Sequence, residues 1–151
     1  MKPKSPVPDE RRYPSRLIVG IGVVVWRGNK VLLVKRGNAP REGEWGLPGG
    51  MQKAGETIME AALREVREET GLEAVPLGVI TAIDGLSRDA KGKAEYHYTI
   101  IEVAAESREG VARAQDDATD TCWATIDETE RLCAWPEVAR VVRLSLLQKA
   151  L

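Results

Sequence analysis

The chain has 151 residues, of which 43% are hydrophobic and 30% charged, and its formal net charge at pH 7 is −1. This length and composition are typical of one globular domain with a single core. The small net charge and the absence of any 18-residue apolar run argue against nucleic-acid and membrane partners. The two cysteines form no CxxC pair, and the sequence has one histidine that could serve as a further zinc ligand. This argues against a zinc site and a disulfide framework.

The N-terminal residues 1–16 contain four of the eight prolines and several charges. This composition predicts a flexible tail, followed by a single domain over residues 17–151. The tail has no apolar core of the kind that a secretory signal needs, so we expect a cytoplasmic protein. Arg11 and Arg12 are the tail residues that are candidates for reaching back to an anionic ligand.

From Leu17 the sequence becomes apolar and β-branched. "LIVGIGVVVW" and "VLLVKR", with a turn at Gly28 and Asn29 between them, predict a β-hairpin. "AVPLGVITAID" and "AEYHYTIIEVAA" predict a second hairpin, and "TCWATI" predicts a short last strand. A turn is expected at Asp127 and a closing helix from Pro136. Strands with one central and one terminal helix predict an α/β sandwich with a mixed sheet.

The central stretch "GMQKAGETIMEAALREVREETGL" predicts a helix from Ile58 to Thr70. Thr57 is a good N-cap and Glu60 lies three residues later, which makes a capping box. Gly71 is a good C-cap. At about 100° per residue, the predicted core face consists of Met59, Ala62, Leu63, Val66 and Thr70.

An acidic arc lies next to this core face and is formed by Glu65, Glu68 and Glu69. Three carboxylates on one narrow arc repel one another, whereas alternating charges would stabilise a solvated helix. Hard divalent cations bind several carboxylate oxygens at close range, so they would turn the repulsion into binding energy. The pattern alone leaves both interpretations open: a solvated helix and a metal site.

The spacing of the whole stretch resembles the complete box of the Nudix hydrolases. The flanking "VGIGVVVW", "VLLVKR" and "WGLPGG" also look like this family, so the resemblance extends from Leu17 to the C-terminus. It implies a Nudix-type α/β/α sandwich with a mixed β-sheet. The residues that match the box are Gly50, Glu56, Arg64, Glu65, Val66, Glu68, Glu69, Gly71 and Leu72.

The resemblance also implies a cofactor and a reaction. The family hydrolyses a nucleoside diphosphate linked to a group X, giving a nucleoside monophosphate and phospho-X. Glu56 and Arg64 are expected to pair and to support the loop and the helix. The implied ligands of Mg²⁺ or Mn²⁺ are Glu65, Glu68, Glu69 and the carbonyl of Gly50.

Catalysis of this kind needs a carboxylate that takes a proton as water attacks phosphorus. Glu65 is one candidate for this base. Asp116 and Asp117 are the others, since related enzymes carry an acid a few residues before a tryptophan like Trp123. A polar loop tip is the alternative interpretation of the two aspartates.

Four residues are candidates for contact with the substrate. Arg36 ends a strand near the box, where relatives use a basic residue on phosphate; a plain surface position is the alternative. Trp45 is a candidate for stacking on a base, and packing in the core or in a lid is the alternative interpretation. Tyr96 and Tyr98 share one face of a strand and are candidates for lining the cleft.

The layout resembles the ADP-ribose pyrophosphatase-like branch, so we expect cleavage of an ADP-ribose-like diphosphate. Arg88, however, stands where many ADP-ribose hydrolases carry a proline. A MutT-like nucleoside triphosphate pyrophosphohydrolase is therefore the alternative enzyme, and a nucleotide-binding sensor is the non-enzymatic alternative. The resemblance leaves a homodimer open, because homodimers are common among relatives.

Overall fold

The computed structural model describes residues 10–149. None of the helices in this range is both long and apolar enough to cross a membrane. The strands are β1 (Ile18–Arg27), β2 (Lys30–Arg36), β3 (Trp45–Gly46), β4 (Gly49–Met51), β5 (Val75–Arg88), β6 (Ala94–Glu106) and β7 (Ala118–Ala124). The helices are α1 (Ile58–Thr70), α2 (Ile126–Leu132), α3 (Pro136–Leu144) and α4 (Leu146–Lys149).

The strands form one mixed sheet with the order β3-β2-β1-β6-β5, and β4 and β7 add to β1 and β2 respectively. β1 runs parallel to β6 from the Ile18–Tyr98 pair onward, and the other pairings are antiparallel. Gly28, with φ +59°, allows the tight turn between β1 and β2. Both predicted hairpins and the predicted mixed-sheet α/β sandwich are therefore confirmed.

Strands β1 and β2 pair beside their turn, at Trp26–Val31 and Arg27–Lys30. Towards the other end of β1, β4 takes the neighbouring place, with Gly22 opposite Gly49. The short β3 pairs with β2 instead. The loop that precedes α1 is thus anchored to the central strand, at the point where β1 and β2 have separated.

Alternate side chains of β1 divide the core into two layers, one on each face of the sheet. Ile21, Val23 and Val25 face α1, whereas Val24 and Trp26 face α3. α1 covers its layer with Ala61, Ala62 and Val66, and α3 covers the other with Val138, Val141 and Val142.

Helix α1 has the predicted bounds, Ile58–Thr70. Thr57 and Glu60 form the reciprocal capping box, and Gly71 closes the helix with φ +74°. The buried face is shifted slightly from the prediction, since Met59 and Leu63 are only half-buried. Four residues of α1 outside the acidic arc are fully buried, namely Ala61, Ala62, Val66 and Thr70.

The region after β7 differs from the prediction. A helix, α2, replaces the turn expected at Asp127, because Thr125 and Glu128 make a second capping box. The sequence carries this signal as a threonine followed three residues later by a glutamate. α3 begins at Pro136, as predicted.

The N-terminal segment, residues 10–16, contacts two separate parts of the domain. The backbone N–H of Tyr13 donates to the carbonyl of Glu95 in β6 at 2.6 Å. Arg11 Nη2 donates to the carbonyl of Ala39, in the loop after β2, at 3.0 Å. The rest of the predicted tail lies outside the described residues, so its flexibility and its boundary stay predictions.

Candidate active site

Arg64 joins the loop before α1 to the acidic face of the helix, which is formed by Glu65, Glu68 and Glu69. Its Nε and Nη2 donate to the two carboxylate oxygens of Glu56 at 2.9 and 2.7 Å, and Nη2 also donates to the Met51 carbonyl at 3.0 Å. Its Nη1 donates to Glu65 Oε1 at 2.7 Å and to Glu68 Oε2 at 3.1 Å. One guanidinium therefore fixes the loop and two glutamates in relation to one another.

The pairing with Arg64 makes Glu56 a strongly ionised carboxylate. The hydrogen bonds from Arg64 lower the pKa of Glu56 to about 2, helped by the backbone N–H of Lys53. The same hydrogen bonds raise the pKa of Arg64. The expected pairing of the two residues is therefore present, and it closes the loop onto the helix.

Glu69 occupies the opposite environment on the same helix. Its side chain is buried, with 7% of its surface exposed, and Oε2 accepts a hydrogen bond from the Gly49 N–H at 3.2 Å. Burial raises the pKa of Glu69 to about 8; the charges of Glu65 and Asp117 add to this rise, and Gly49 and Arg36 oppose it. A cation brought near Glu69 would therefore lower its pKa and favour its ionised form.

Glu65 is buried against the backbone of Gly50. A Cβ atom on Gly50 would lie 2.4 Å from Glu65 Oε1, so this carboxylate position requires a glycine. Burial raises the pKa of Glu65, the ion pair with Arg64 opposes that rise, and the charge of Asp116 adds to it.

The loop that precedes β7 lies against the C-terminal end of α1. The Gln115 N–H donates to the Glu69 carbonyl at 2.9 Å, which ties this loop to the helix. Asn38 Nδ2 donates to Asp117 Oδ1 at 2.7 Å and holds that carboxylate from the other side. Asp116, with φ +52°, and Asp117 thus come within electrostatic reach of the glutamates of α1.

The donor set suits a hard cation, although its side chains are not gathered around one point. Within residues 10–149, no three acidic, cysteine or histidine side chains are arranged to hold a metal ion. Glu65 and Glu68 both turn towards Arg64 instead. All the donor atoms of the carboxylates and of the Gly50 carbonyl are nevertheless oxygens, which Mg²⁺ and Mn²⁺ prefer as ligands. A bound cation would also offset the unfavourable negative charge of buried Glu69.

Basic side chains border the acidic face. Arg36, half-buried at the end of β2, has its pKa lowered by burial and further by the charges of Arg11 and Arg41. Glu69 and Tyr98 raise it, so Arg36 lies in the fields of both an acidic-face glutamate and a β6 tyrosine. Opposite charges thus meet here, as binding of a metal–polyphosphate complex would require.

The other predicted substrate residues have different environments. Trp45 is half-buried and packs against the core layer of α3. Tyr98 is half-buried and interacts with Arg36, whereas Tyr96 is buried and interacts with Arg12 of the N-terminal segment. Of the two tyrosines, Tyr98 is therefore the one that acts on Arg36.

The NUDIX domain family model matches residues 16–144. The chain belongs to the Nudix family. An ADP-ribose pyrophosphatase of Methanocaldococcus jannaschii is 34% identical to this Nudix chain over 114 residues, which are 74% of this chain and 65% of that protein. An 8-oxo-dGDP phosphatase of Homo sapiens is 37% identical over 75 residues, 50% of this chain and 22% of that protein. The chain thus spans less than two thirds of the length of each of these relatives.

A solved structure with the same Nudix fold is that of a MutT NUDIX hydrolase from Burkholderia pseudomallei. The TM-score is 0.69 at 25% sequence identity, covering 86% of this chain and 98% of that one. Nudix hydrolases generally need a divalent metal ion. The acidic face of α1 carries carboxylates, which are oxygen donors of the kind that such an ion prefers.

Three polar residues of the Nudix chain were not predicted from sequence. Asn38 and Arg41 lie in the Gly- and Pro-rich loop after β2, where no sequence pattern distinguishes them from their neighbours. Arg41 lies over the Trp135 ring at 4.5 Å. Glu102, an acid in the middle of an apolar strand, did carry a signal in "TIIEVAA".

Proposed function

We propose that this Nudix protein is a metal-dependent hydrolase that cleaves the diphosphate linkage of a nucleoside diphosphate derivative. The proposed substrate is ADP-ribose-like, and the products are a nucleoside monophosphate and phospho-X. The observation that carries the proposal is the burial of Glu69 on the acidic face of α1, within electrostatic reach of Arg36. Similarity to an ADP-ribose pyrophosphatase supports this substrate class.

Mg²⁺ or Mn²⁺ is the proposed cofactor. Such a cation neutralises the diphosphate and lowers the pKa of a bound water when it is present. The Glu56–Arg64 pair holds the loop and the helix together, so the ligand groups are positioned beforehand. The proposed ligands are Glu65, Glu68, Glu69 and the Gly50 carbonyl.

The diphosphate would lie between the acidic face and the basic side chains. Arg36 is the principal proposed phosphate contact, and Arg11 of the N-terminal segment is the second, because its charge acts on Arg36. Guanidinium groups match the geometry of phosphate oxygens. Tyr98 would line the same end of the site, and Trp45 is the proposed stacking residue, further along the face of α3.

Water then attacks one phosphorus atom, and the bond to the bridging oxygen breaks. The proton of the water passes to a carboxylate, for which Asp117, Asp116 and Glu65 are the candidates. Asp117 is the first choice, because Glu65 is paired with the positive charge of Arg64, whereas Asp117 accepts a hydrogen bond from the neutral amide of Asn38. The bridging oxygen leaves with the second phosphate.

A MutT-like nucleoside triphosphate pyrophosphohydrolase is the second candidate. It is favoured by the structural likeness to a MutT NUDIX hydrolase. A triphosphate would place its diphosphate at the same acidic face. The two candidates therefore differ in the leaving group and in the released products.

A product assay with Mg²⁺ or Mn²⁺ tests the proposal. The substrates are ADP-ribose, other nucleotide sugars, dinucleotides and nucleoside triphosphates. AMP and ribose 5-phosphate from ADP-ribose are expected, whereas pyrophosphate from a triphosphate would favour the MutT-like candidate. Nucleotide binding without turnover of any substrate would overturn the enzyme proposal and would indicate a sensor.

A further inference from the structure

Glu102 is a buried acid outside the acidic face of α1. It lies in β6 with 4% of its surface exposed, and the parallel register places it opposite Gly22 of β1. Because side chains directly opposite in the sheet share a face, Glu102 points to the side of Val24 and Trp26, which is covered by α3. It therefore faces away from α1.

One oxygen of the Glu102 carboxylate, Oε2, is buried, and among residues 10–149 no group forms a hydrogen bond with it. The carboxylate lies directly on the bare backbone of Gly22, where a Cβ atom would be 2.2 Å from Oε2. Burial raises the pKa of Glu102 to about 7, and the nearby charge of Glu137, in the first turn of α3, adds to that rise. A buried acceptor without a donor is unfavourable, so packing alone does not account for this glutamate.

Glu102 ends a row of β6 side chains on the face of the sheet opposite to α1, and the other end of the row is linked to the candidate active site through Arg36. Tyr98, Ile100 and Glu102 are alternate residues of β6 and share one face of the sheet. Tyr98, at one end of this row, interacts with Arg36, which also interacts with Glu69. The four-residue step from Tyr98 to Glu102 spans roughly 13 Å along the strand, which is comparable with the length of a nucleotide.

The strands on either side of this row carry glycines. Gly20 of β1 and Gly85 of β5 flank the side chains of Tyr98 and Ile100, and a Cβ atom on Gly85 would lie 2.9 Å from Ile100 Cδ1. Ile100 is half-buried. The row therefore begins at the tyrosine that acts on Arg36, continues over the apolar side chain of Ile100, and ends at the carboxylate whose Oε2 has no partner among residues 10–149.

We propose that Glu102 is a specificity-determining residue that accepts a hydrogen bond from the exocyclic amino group of a purine base. The base would lie on the apolar row while its phosphates lie at Arg36 and the acidic face. This inference rests on the proposed nucleotide hydrolase function and deepens it. A carboxylate acceptor selects for an amino group because a base without one leaves the buried oxygen unpaired.

Equilibrium binding of three nucleotides tests the inference without any turnover. The ligands are AMP, GMP and purine riboside 5′-monophosphate, which has the same ring but no exocyclic amino group. At pH 8 with Mg²⁺, the wild-type protein is expected to bind AMP or GMP about tenfold more tightly than purine riboside 5′-monophosphate. Which of the two binds better identifies the base as adenine or guanine.

Variants separate recognition from packing. Glu102→Met keeps the length and volume of the side chain but removes the acceptor, so the tenfold preference should fall to about one while thermal stability is kept or raised. Glu102→Gln retains a carbonyl acceptor and should restore part of the preference. Glu106→Gln changes an acid of the same strand that pairs with Arg108, and it should leave the preference unchanged.

Three results would overturn the inference. They are equal wild-type binding of the three nucleotides, absence of binding by all three at millimolar concentration, and an equal loss for all three in Glu102→Met. The product assay tests the proposed hydrolase function separately, because the ratio of nucleotide affinities is measured whether or not ADP-ribose is cleaved. Equal binding together with normal hydrolysis would reject the role of Glu102 alone.

Discussion

Glu56 and Glu69 belong to the same Nudix box, but their carboxylates lie in opposite environments. Glu56 accepts two hydrogen bonds from Arg64, which lower its pKa to about 2. Glu69 is buried with one hydrogen bond from Gly49, and its pKa rises to about 8. Surroundings rather than residue type thus divide the box into a supporting half and a reactive half, since only the second gains from an added cation.

The largest expected effect comes from the reactive half. Glu69→Gln removes one proposed ionisable ligand of the metal ion and should lower kcat/KM about 10³-fold in the Mg²⁺-dependent product assay. Burial disfavours the ionised form of Glu69, so its destabilising contribution is present above pH 8 and is lost as the pH falls towards 4.5. With chelator at pH 8, the variant should therefore melt at a higher temperature than the wild type. Unchanged turnover would contradict the assignment of Glu69.

The supporting half should respond with the opposite sign in stability. Glu56→Gln leaves Arg64 without its principal partner, so the melting temperature should fall at pH 7, where the ion pair is complete. In the wild type the pKa of Glu56 is lowered by folding. The stabilising contribution of the ion pair is therefore complete above about pH 4.5 and disappears as the pH falls towards 2. Activity should fall about 10- to 100-fold, as when groups that orient metal ligands are changed. A melting temperature equal to that of the wild type would remove the distinction between the two halves.

Two adjacent glycines sharpen the same distinction. A Cβ atom at Gly50 would displace the Glu65 carboxylate, which is the end of a flexible side chain. Gly50→Ala should therefore fold normally but lose about tenfold or more in activity. A Cβ atom at Gly49 would lie 2.0 Å from the backbone carbonyl of Ile21, so Gly49→Ala should lower the free energy of unfolding by roughly 2–3 kcal/mol. Denaturant unfolding and kcat/KM of the two variants, measured side by side, would show whether the effects separate in this way.

The smallest expected effect concerns the N-terminal segment. Arg11 donates to the Ala39 carbonyl and acts on Arg36, so Arg11→Ala should raise KM for a diphosphate substrate about fivefold and leave kcat nearly unchanged. Arg12→Ala is the matched control, because Arg12 pairs with Glu95 at the surface. Steady-state kinetics that show equal KM values for the two variants would contradict a role for Arg11 in phosphate binding.

How much of this site the sequence predicts depends on how local each interaction is. The bounds and caps of α1 follow from neighbouring residues, such as Thr57 and Gly71, and were confirmed. The helix α2 was missed, although its capping residues follow the same local rule. The contact of Arg11 with the loop after β2 joins residues far apart in sequence, and no periodic pattern encodes it.

Glu102 shows the same limit more sharply. Its position within an apolar strand is visible in the sequence, but its burial on the backbone of Gly22, where Oε2 meets no donor among residues 10–149, depends on the parallel register of β1 and β6. The approach of Asp117 to Glu69 likewise depends on a loop that docks on the end of α1. Long-range pairing of this kind needs the folded structure.

The most direct test of the division within the box is proton release on binding of Mg²⁺, measured by calorimetry at pH 7 in buffers of different ionisation enthalpy. Because the pKa of Glu69 is about 8, most molecules carry a proton there, and the cation must displace it. We expect release of nearly one proton per Mg²⁺ in the wild type and in Glu68→Gln, and loss of that release in Glu69→Gln. Binding of Mg²⁺ without proton release in the wild type, or with the same release in Glu69→Gln, would contradict the assignment of Glu69 as the reactive acid.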